Sequence, residues 1–251
     1  MDLKRRLFLQ TTGLAALSAL TGCATTASKP AVVSPQAEEM LPEPAADYAM
    51  MYGEKLDEQF PLPAIPYQKI KPQFYRQMVD DPTGQAPGTL VVDTGNHFLY
   101  YTYPNGKAMR YGVGLGRAGF EWAGRGVIQY KRKWPRWTPP DEMVARQPAL
   151  QRYSIANGGM DAGIKNPLGA RALYIFQNNE DTLYRIHGSP EWWTIGKSVS
   201  SGCVRLMNQD IVDLYERVRG KTPVVVTDLS AGGMMASTPM DDGVTLEGPA
   251  Y

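Results

Sequence analysis

The 251-residue chain has two histidines and two cysteines, and one of each falls in the stretch 185–210, RIHGSPEWWTIGKSVSSGCVRLMNQD. His187 is followed by Gly188, and sixteen residues after the histidine comes Cys203, preceded by Ser201 and Gly202 and followed by Val204 and Arg205. A free thiol has a pKa near ~8.5 and is mostly protonated at neutral pH, so a nucleophilic cysteine needs a base. An imidazole within hydrogen-bond reach takes the proton, and the thiolate–imidazolium pair that results attacks a carbonyl carbon readily. Small residues before the thiol let the backbone turn tightly, so that the amides of Ser201, Gly202 and Cys203 converge on the oxyanion formed in acyl transfer. The competing reading makes Cys203 a buried structural thiol and His187 the end of a strand. The combination of residue types favours the nucleophile.

With those residues in view, the stretch from His187 to Arg205 resembles the signature of the L,D-transpeptidases, the YkuD-type cell-wall cross-linking enzymes. The resemblance rests on His187-Gly188, a spacer of the family's usual length, and Ser200-x-Gly202-Cys203-Val204-Arg205. Many members of the family carry a histidine where this chain has Ser201, which leaves His187 as the only histidine of the motif. Similarity extends from about Gly88 to Thr227 and takes in Asn166-Pro167-Leu168-Gly169-Ala170-Arg171. The resemblance implies a Cys203 thioester with a peptidoglycan tetrapeptide stem, released D-Ala, and transfer of the acyl group to an amine on a second stem, a protein lysine or a D-amino acid. It also implies that the backbone carbonyl of Gly188 orients His187, with catalytic roles for Cys203, His187 and Gly188. Arg205 is a candidate for holding a substrate carboxylate or for a structural bond to nearby carbonyls. Trp192 and Trp193 are candidates for a substrate-covering lid or for simple packing.

The elements that must position this site read as mainly β. Gly 25 and Pro 20, with fourteen Tyr, six Phe and five Trp, suit a turn-rich sheet protein, and 43% hydrophobic residues suffice for a packed core. Strands are predicted at Thr89–Asp93, His97–Tyr103 and Ala108–Val113, a meander punctuated by Thr94-Gly95-Asn96 and Pro104-Asn105-Gly106. The Gly-rich run Gly112–Gly126 opens no helix and reads as a long hairpin connection to a strand at Val127–Lys133, not as a phosphate loop. The Trp134–Pro140 run suits a sheet edge, and Asp141 is the expected cap of a short helix Glu142–Arg146. Strands Ala172–Gln177 and Thr182–Ile186 flank a turn at 178–181, the second delivering His187. Asn208 is the expected cap of the one main helix, Gln209–Arg219, whose Ile211, Leu214, Tyr215 and Val218 share one face and which Gly220 ends. A last strand follows at Val224–Val226. The expected architecture is a mixed, β-sandwich-like L,D-transpeptidase catalytic domain with one main helix after Cys203.

The N-terminus has the features of an export signal: Lys4-Arg5-Arg6, an apolar stretch centred on Gly13–Leu20, and Leu20-Thr21-Gly22-Cys23. Arg5-Arg6-Leu7-Phe8-Leu9-Gln10 resembles a twin-arginine pattern, and Leu20–Cys23 a bacterial lipobox that makes Cys23 the lipidation site. The apolar run is shorter than the ~20 residues of a membrane span. Lipidation of Cys23 leaves Cys203 without an intrachain partner in an oxidising compartment, which catalysis explains; a Cys23–Cys203 disulfide would leave both motifs unexplained. The division expected is 1–22 export signal with lipobox, 23–87 Pro-rich tether or docking arm, 88–228 catalytic domain and 229–251 flexible tail. Within the arm, Ile70, Phe74, Tyr75 and Met78 are the candidates for docking.

Basic and acidic residues nearly cancel, at 26 and 25, and give no footprint for nucleic acid. Neither the histidines nor the cysteines have the short paired spacing of a zinc site, and no metal or cofactor is expected. His97 opens a strand far from the motif and is a poor candidate for the base. The expected partners are peptidoglycan stem peptides, a protein lysine acceptor, and a membrane reached through the lipid anchor, which places the protein in the periplasm. Two other functions fit the same residues: a cysteine hydrolase of peptidoglycan, with water resolving the thioester, and a non-catalytic wall-binding lipoprotein.

Overall fold

Alternation of apolar residues with turn formers governs the architecture of the computed structural model, which describes residues 47–116, 124–200 and 202–230. The expected export signal, Cys23, Ser201 and the residues beyond Ser230 lie outside these residues, as does the Ser200 side chain. The strands described are β1 Gln77–Asp80, β2 Leu90–Asp93, β3 Phe98–Thr102, β4 Lys107–Gly112, β5 Leu115–Gly116, β6 Gly124–Lys133, β7 Arg171–Gln177, β8 Glu180–Ser189, β9 Ser198–Ser200, β10 Val204–Met207 and β11 Thr222–Thr227. The helices are α1 Tyr48–Met51, α2 Asp141–Arg146 and α3 Asn208–Arg217.

The β2–β3–β4 meander is antiparallel, with Leu90 opposite Tyr101 and Tyr100 opposite Arg110. Its turns use left-handed backbone at His97 (φ 60°), Asn105 (φ 65°) and Gly106 (φ 67°), conformations that Asn and Gly tolerate best. β11 then inserts between β2, to which it runs parallel, and β6, to which it runs antiparallel. The result is a mixed nine-stranded sheet in the order β1-β4-β3-β2-β11-β6-β7-β8-β10, beside a small parallel pair of β5 and β9. The Gly-rich segment after β4 is therefore not a hairpin connection: β3, β2 and β11 stand between β4 and β6. Period-2 alternation cannot distinguish a hairpin from a crossing, because it reports which face a residue takes and not which strand it joins.

Leu90, Val92, Leu99 and Tyr111 from one half of the sheet and Leu173, Ile175, Ile186, Val204 and Leu206 from the other enter one buried cluster. Ile211, Leu214 and Val218 of α3 join it, with Tyr215 at its margin. Two ends of one sheet that share a core must curl round it, so the domain is mainly β and sandwich-like, with α3 as its longest helix. Val91, Tyr100, Ala108 and Val225 point to the opposite face and make a smaller cluster.

Two helix ends differ from expectation. Asp141 is the first residue of α2, whose N-cap is Pro140 without a side-chain bond. Met207, not Asn208, is the N-cap of α3, and the helix stops at Arg217 with extended Val218 as its C-cap, before Gly220 is reached. The β7–β8 turn is tighter than the four residues expected. Asn178 (φ 52°) and Asn179 (φ 64°) alone connect the paired Gln177 and Glu180, the two-residue left-handed turn that suits the twist of a hairpin.

Residues 47–87 depart furthest from a tether. Tyr52, Leu62, Ile65, Ile70, Phe74 and Tyr75 are buried, most of them in a cluster with Ile195 and Met207 of the catalytic domain. Met78, expected to dock, is 40% exposed on β1. The buried Arg171 guanidinium holds Glu58 through Nη1–Oε2 (2.8 Å) and Nη2–Oε1 (2.5 Å), and Trp134 Nε1 donates to the same carboxylate at 2.9 Å. Burial pushes the Glu58 carboxyl up, but the bonds from Arg171 and Trp134 prevail and hold it below its ordinary range. Ile70, Phe74 and Tyr75 are buried as the docking reading expected, whereas Tyr52, Glu58, Leu62 and Ile65 were not singled out because they are scattered among prolines without period.

Candidate active site

His187 lies inside β8, which continues to Ser189, and its neighbours across the sheet are Ala172 on β7 and Arg205 on β10. Because side chains alternate along a strand, Ile186 and Val204 face the core while Arg185, His187 and Arg205 face the other way. Cys203 immediately precedes β10, two residues before Arg205, the residue that pairs with His187, and a backbone hydrogen bond from Arg185 ties it to β8. β8 and β10 are parallel, which requires a long connection. The segment 190–203 supplies it, starting three residues after His187 and ending at Cys203.

The imidazole is fixed through its backbone neighbour. His187 Nδ1 stands 2.6 Å from the Gly188 carbonyl oxygen, and since a carbonyl only accepts, Nδ1 carries the proton and Nε2 keeps its lone pair. Gly188 admits no side chain: a Cβ there would meet Asn208 Oδ1 at 2.4 Å and Ile211 Cγ2 at 2.7 Å. Gly169, with φ +60°, is as tightly placed, its virtual Cβ 2.2 Å from the same Oδ1. Asn208 Oδ1 in turn accepts from the Ala170 amide at 2.9 Å. The residue expected to cap α3 thus buttresses the strand that carries the histidine. Asn166 shapes the approach to β7, donating to the carbonyls of Pro135 and Asp161 (both 3.0 Å) and accepting from the Leu168 amide (2.9 Å).

Gly202 has φ +127°, and a Cβ at that position would lie 2.9 Å from the Tyr184 ring. The turn before the thiol therefore requires glycine on both counts. The amides of Gly202 and Cys203 follow in that turn, and Ser201, expected to supply a third, lies outside the described residues.

Burial dominates the electrostatics of the pair. It brings the His187 pKa down to about 4, helped by the nearby Arg205 and Arg185 charges and opposed by the Gly188 bond. It pushes the half-buried Cys203 thiol up, against a backbone hydrogen bond from Arg185 and the same two arginines. Both shifts favour a neutral thiol and a neutral imidazole as the resting pair over a thiolate–imidazolium.

Arg205 is engaged by a residue not singled out from the sequence: its Nη1 lies 2.7 Å from Glu191 Oε2. Its backbone exchanges two 2.9 Å hydrogen bonds with Gly114. Arg185 was also passed over, although it stands two residues before His187 and the strand period alone places it on the same side. Its guanidinium holds Asp181 through two bonds of 2.7 and 2.8 Å. Trp192 and Trp193 begin a short 3-10 turn and meet edge to face at 5.6 Å. Trp192 packs on the arm cluster, and Trp193 is 51% exposed. His97 is not far from the motif, since its Nε2 is 3.1 Å from the Ser198 hydroxyl; β3 lies two places from the sheet's central strand, but the turn before it, which holds His97, reaches β9.

Residues 87–226 match the model of the L,D-transpeptidase catalytic domain of the YkuD type. The chain belongs to that family. It is 32% identical over 167 residues to the probable L,D-transpeptidase ErfK/SrfK of Escherichia coli K12, covering 65% of this chain and 48% of that protein. It is 36% identical over 145 residues to the probable L,D-transpeptidase YbiS of the same strain, covering 55% and 44%. The match thus spans about half the length of these curated relatives. A crystal structure of a probable carnitine operon oxidoreductase, caia, from Brucella melitensis is 47% identical, covering 61% of this chain and 94% of that one, with a TM-score of 0.44. In this L,D-transpeptidase domain, His187, Gly188, Gly202 and Cys203 all fall inside the matched range, and the arm 47–86 falls outside it.

Proposed function

We propose that the chain is a cysteine acyltransferase that cross-links or exchanges peptidoglycan stem peptides. The observation that carries this reading is that Cys203 stands two residues before Arg205, which pairs across the sheet with His187, whose Nδ1 is bound to the Gly188 carbonyl so that Nε2 keeps its lone pair. Cys203 Sγ attacks the carbonyl that joins the diamino acid of a tetrapeptide stem to its terminal D-Ala, while His187 Nε2 takes the thiol proton. Because both groups start neutral, attack and proton transfer proceed together and charge appears only in the transition state. The Gly202 and Cys203 amides, with Ser201, face the oxyanion. The tetrahedral carbon then breaks its C–N bond, His187 returns the proton to the departing D-Ala amine, and a thioester remains. An acceptor amine attacks the thioester and gives its proton to His187, which passes it to the Cys203 sulfur as the C–S bond breaks and the new amide forms.

Intact-mass measurement of the protein with a tetrapeptide donor tests this. A thioester adduct that accumulates alone and discharges on addition of an amine, with a cross-linked or exchanged product, supports transfer. Tripeptide as the sole product assigns the chain to hydrolysis instead, and no adduct under any condition leaves a wall-binding role.

The lipobox-like Leu20–Cys23 supports a periplasmic lipoprotein anchored through Cys23, outside the catalytic domain. Cys23→Ser should release the protein from membranes and leave acyl transfer intact in a soluble assay. Wild-type protein recovered unlipidated from the soluble fraction removes the anchor.

A further inference from the structure

We propose that Phe74, in the arm outside the family match, is a positioning residue for the connection between His187 and Cys203, and so for the reaction proposed above, on which this inference rests. Phe74 is seated between two glycines, one against its Cβ and backbone and the other against its ring. A Cβ on Gly112, at the end of β4, would lie 2.6 Å from Phe74 Cβ, and one on Gly196, in the connection 190–203, would lie 2.3 Å from Phe74 Cε2. Such contacts leave no room for even a methyl group, so the connection rests directly on the phenyl ring. Ile195 and Trp192, from the same connection, join Phe74, Ile70, Ile65 and Tyr75 in one cluster.

From this seat the contacts run to the site through backbone. The Gly196 amide donates to the Val113 carbonyl at 2.9 Å, and the Lys197 carbonyl accepts from the Leu115 amide at 3.0 Å. Between these, Gly114 pairs with Arg205, which sits across the sheet from His187 and two residues beyond Cys203. The Arg205–Glu191 ion pair closes the circuit at the other end of the connection. The arm is itself held: the Arg76 amide donates to Tyr52 Oη at 2.6 Å, Arg76 lies 3.2 Å from Asp213, and Gln209 Nε2 binds the carbonyls of Gly53 and Pro63 at 3.0 and 2.9 Å. Phe74 therefore joins a fixed support to a segment that starts three residues after His187 and ends at Cys203, and a small shift there displaces the thiol from its base.

Two rates measured on Cys203 of the full chain separate positioning from mere stability: alkylation by iodoacetamide and acylation by a tetrapeptide donor, each normalised to the folded fraction from circular dichroism. Phe74→Ala should lower donor acylation by about ten- to a hundred-fold, the scale of loss from a misplacement near 1 Å, while alkylation rises as the connection loosens. Phe74→Leu should recover most of both rates. Gly196→Ala should depress acylation in the wild-type background and less in the Phe74→Ala background, where the clash is gone. Folded Phe74→Ala that stays within about two-fold of wild type in both rates overturns the proposal, as does additivity of the two substitutions. Should the wild type alkylate normally but form no thioester, the proposed function fails, and the alkylation contrast alone still decides the role of Phe74.

Discussion

The carboxamide oxygen of Asn208 occupies the space that a side chain on Gly188 would need. The helix that follows the cysteine thereby presses on the peptide whose carbonyl orients the histidine, while the same oxygen satisfies the buried Ala170 amide. Gly188→Ala should displace Asn208 or α3, at about 1–3 kcal/mol for overpacking. Asn208→Ala should cost about 1–3 kcal/mol by leaving that amide without an acceptor. Asn208→Asp, which keeps the acceptor, should be milder. Urea unfolding of the three variants checks the order, and equal stability of all three with wild type would sink the account.

The strands and the site were largely legible, for a common reason. The meander alternates apolar and polar residues between turn formers, and the motif residues lie close together in sequence on or beside two strands. Of the arm only the docking of Ile70, Phe74 and Tyr75 was legible; the rest was not, because its partners are distant: Tyr52 meets Asp210 158 residues later, and Glu58 meets Arg171 113 residues later. Asn208 looked like a cap because Asn at a helix start usually caps; here tertiary packing against Gly169 and Gly188 takes its side chain away from the helix. Arg185 was within reach of the period-2 rule, whereas Glu191 carried no signal, since its pairing with Arg205 depends on how the connection folds.

Glu58→Ala should destabilise the protein by about 3–5 kcal/mol, the usual consequence of leaving one member of a buried ion pair without its partner. The Trp134 indole also loses its acceptor. The double variant Glu58→Leu with Arg171→Met should lie much closer to wild type, because the buried charge is removed with its counter-charge. If Glu58→Ala unfolds at the wild-type denaturant midpoint, the arm is not part of the folded unit in solution.

Stability against pH should show two opposed terms. Burial, reinforced by Asp213 and opposed by Arg76 and by the Tyr52 bond, raises the Asp210 carboxyl to about 7 from an unfolded value of 3.8. The folded state then binds the proton more tightly, so this contribution is complete below about pH 4 and is lost as pH rises through 7. His187, lowered to about 4 from 6.5, acts in the other direction: its contribution is complete above 6.5 and is lost as pH falls toward 4. Asp210→Asn keeps the shape and removes the first term, so its stability should rise from pH 4 to 6.5 more steeply than that of wild type. Parallel stability curves for the two proteins would count against a protonated Asp210.

The neutral resting pair makes the last prediction the most discriminating. If burial holds the imidazole near a pKa of 4, the acid limb of donor acylation should fall near pH 4, well below the 6.5 of an ordinary histidine. Alkylation of Cys203 should accelerate only on the alkaline side, since its thiol is pushed up and not down. A preformed ion pair would do the reverse, giving rapid alkylation well below neutrality. His187→Ala should slow acylation by a donor by about 10²–10⁴-fold, the usual scale for loss of a general base. Ser201→Ala should change little, because alanine retains the backbone amide proposed to face the oxyanion. The roles assigned to the pair fail if His187→Ala acylates at the wild-type rate at neutral pH, or if Ser201→Ala is as inactive as Cys203→Ala when adduct formation is followed by mass spectrometry.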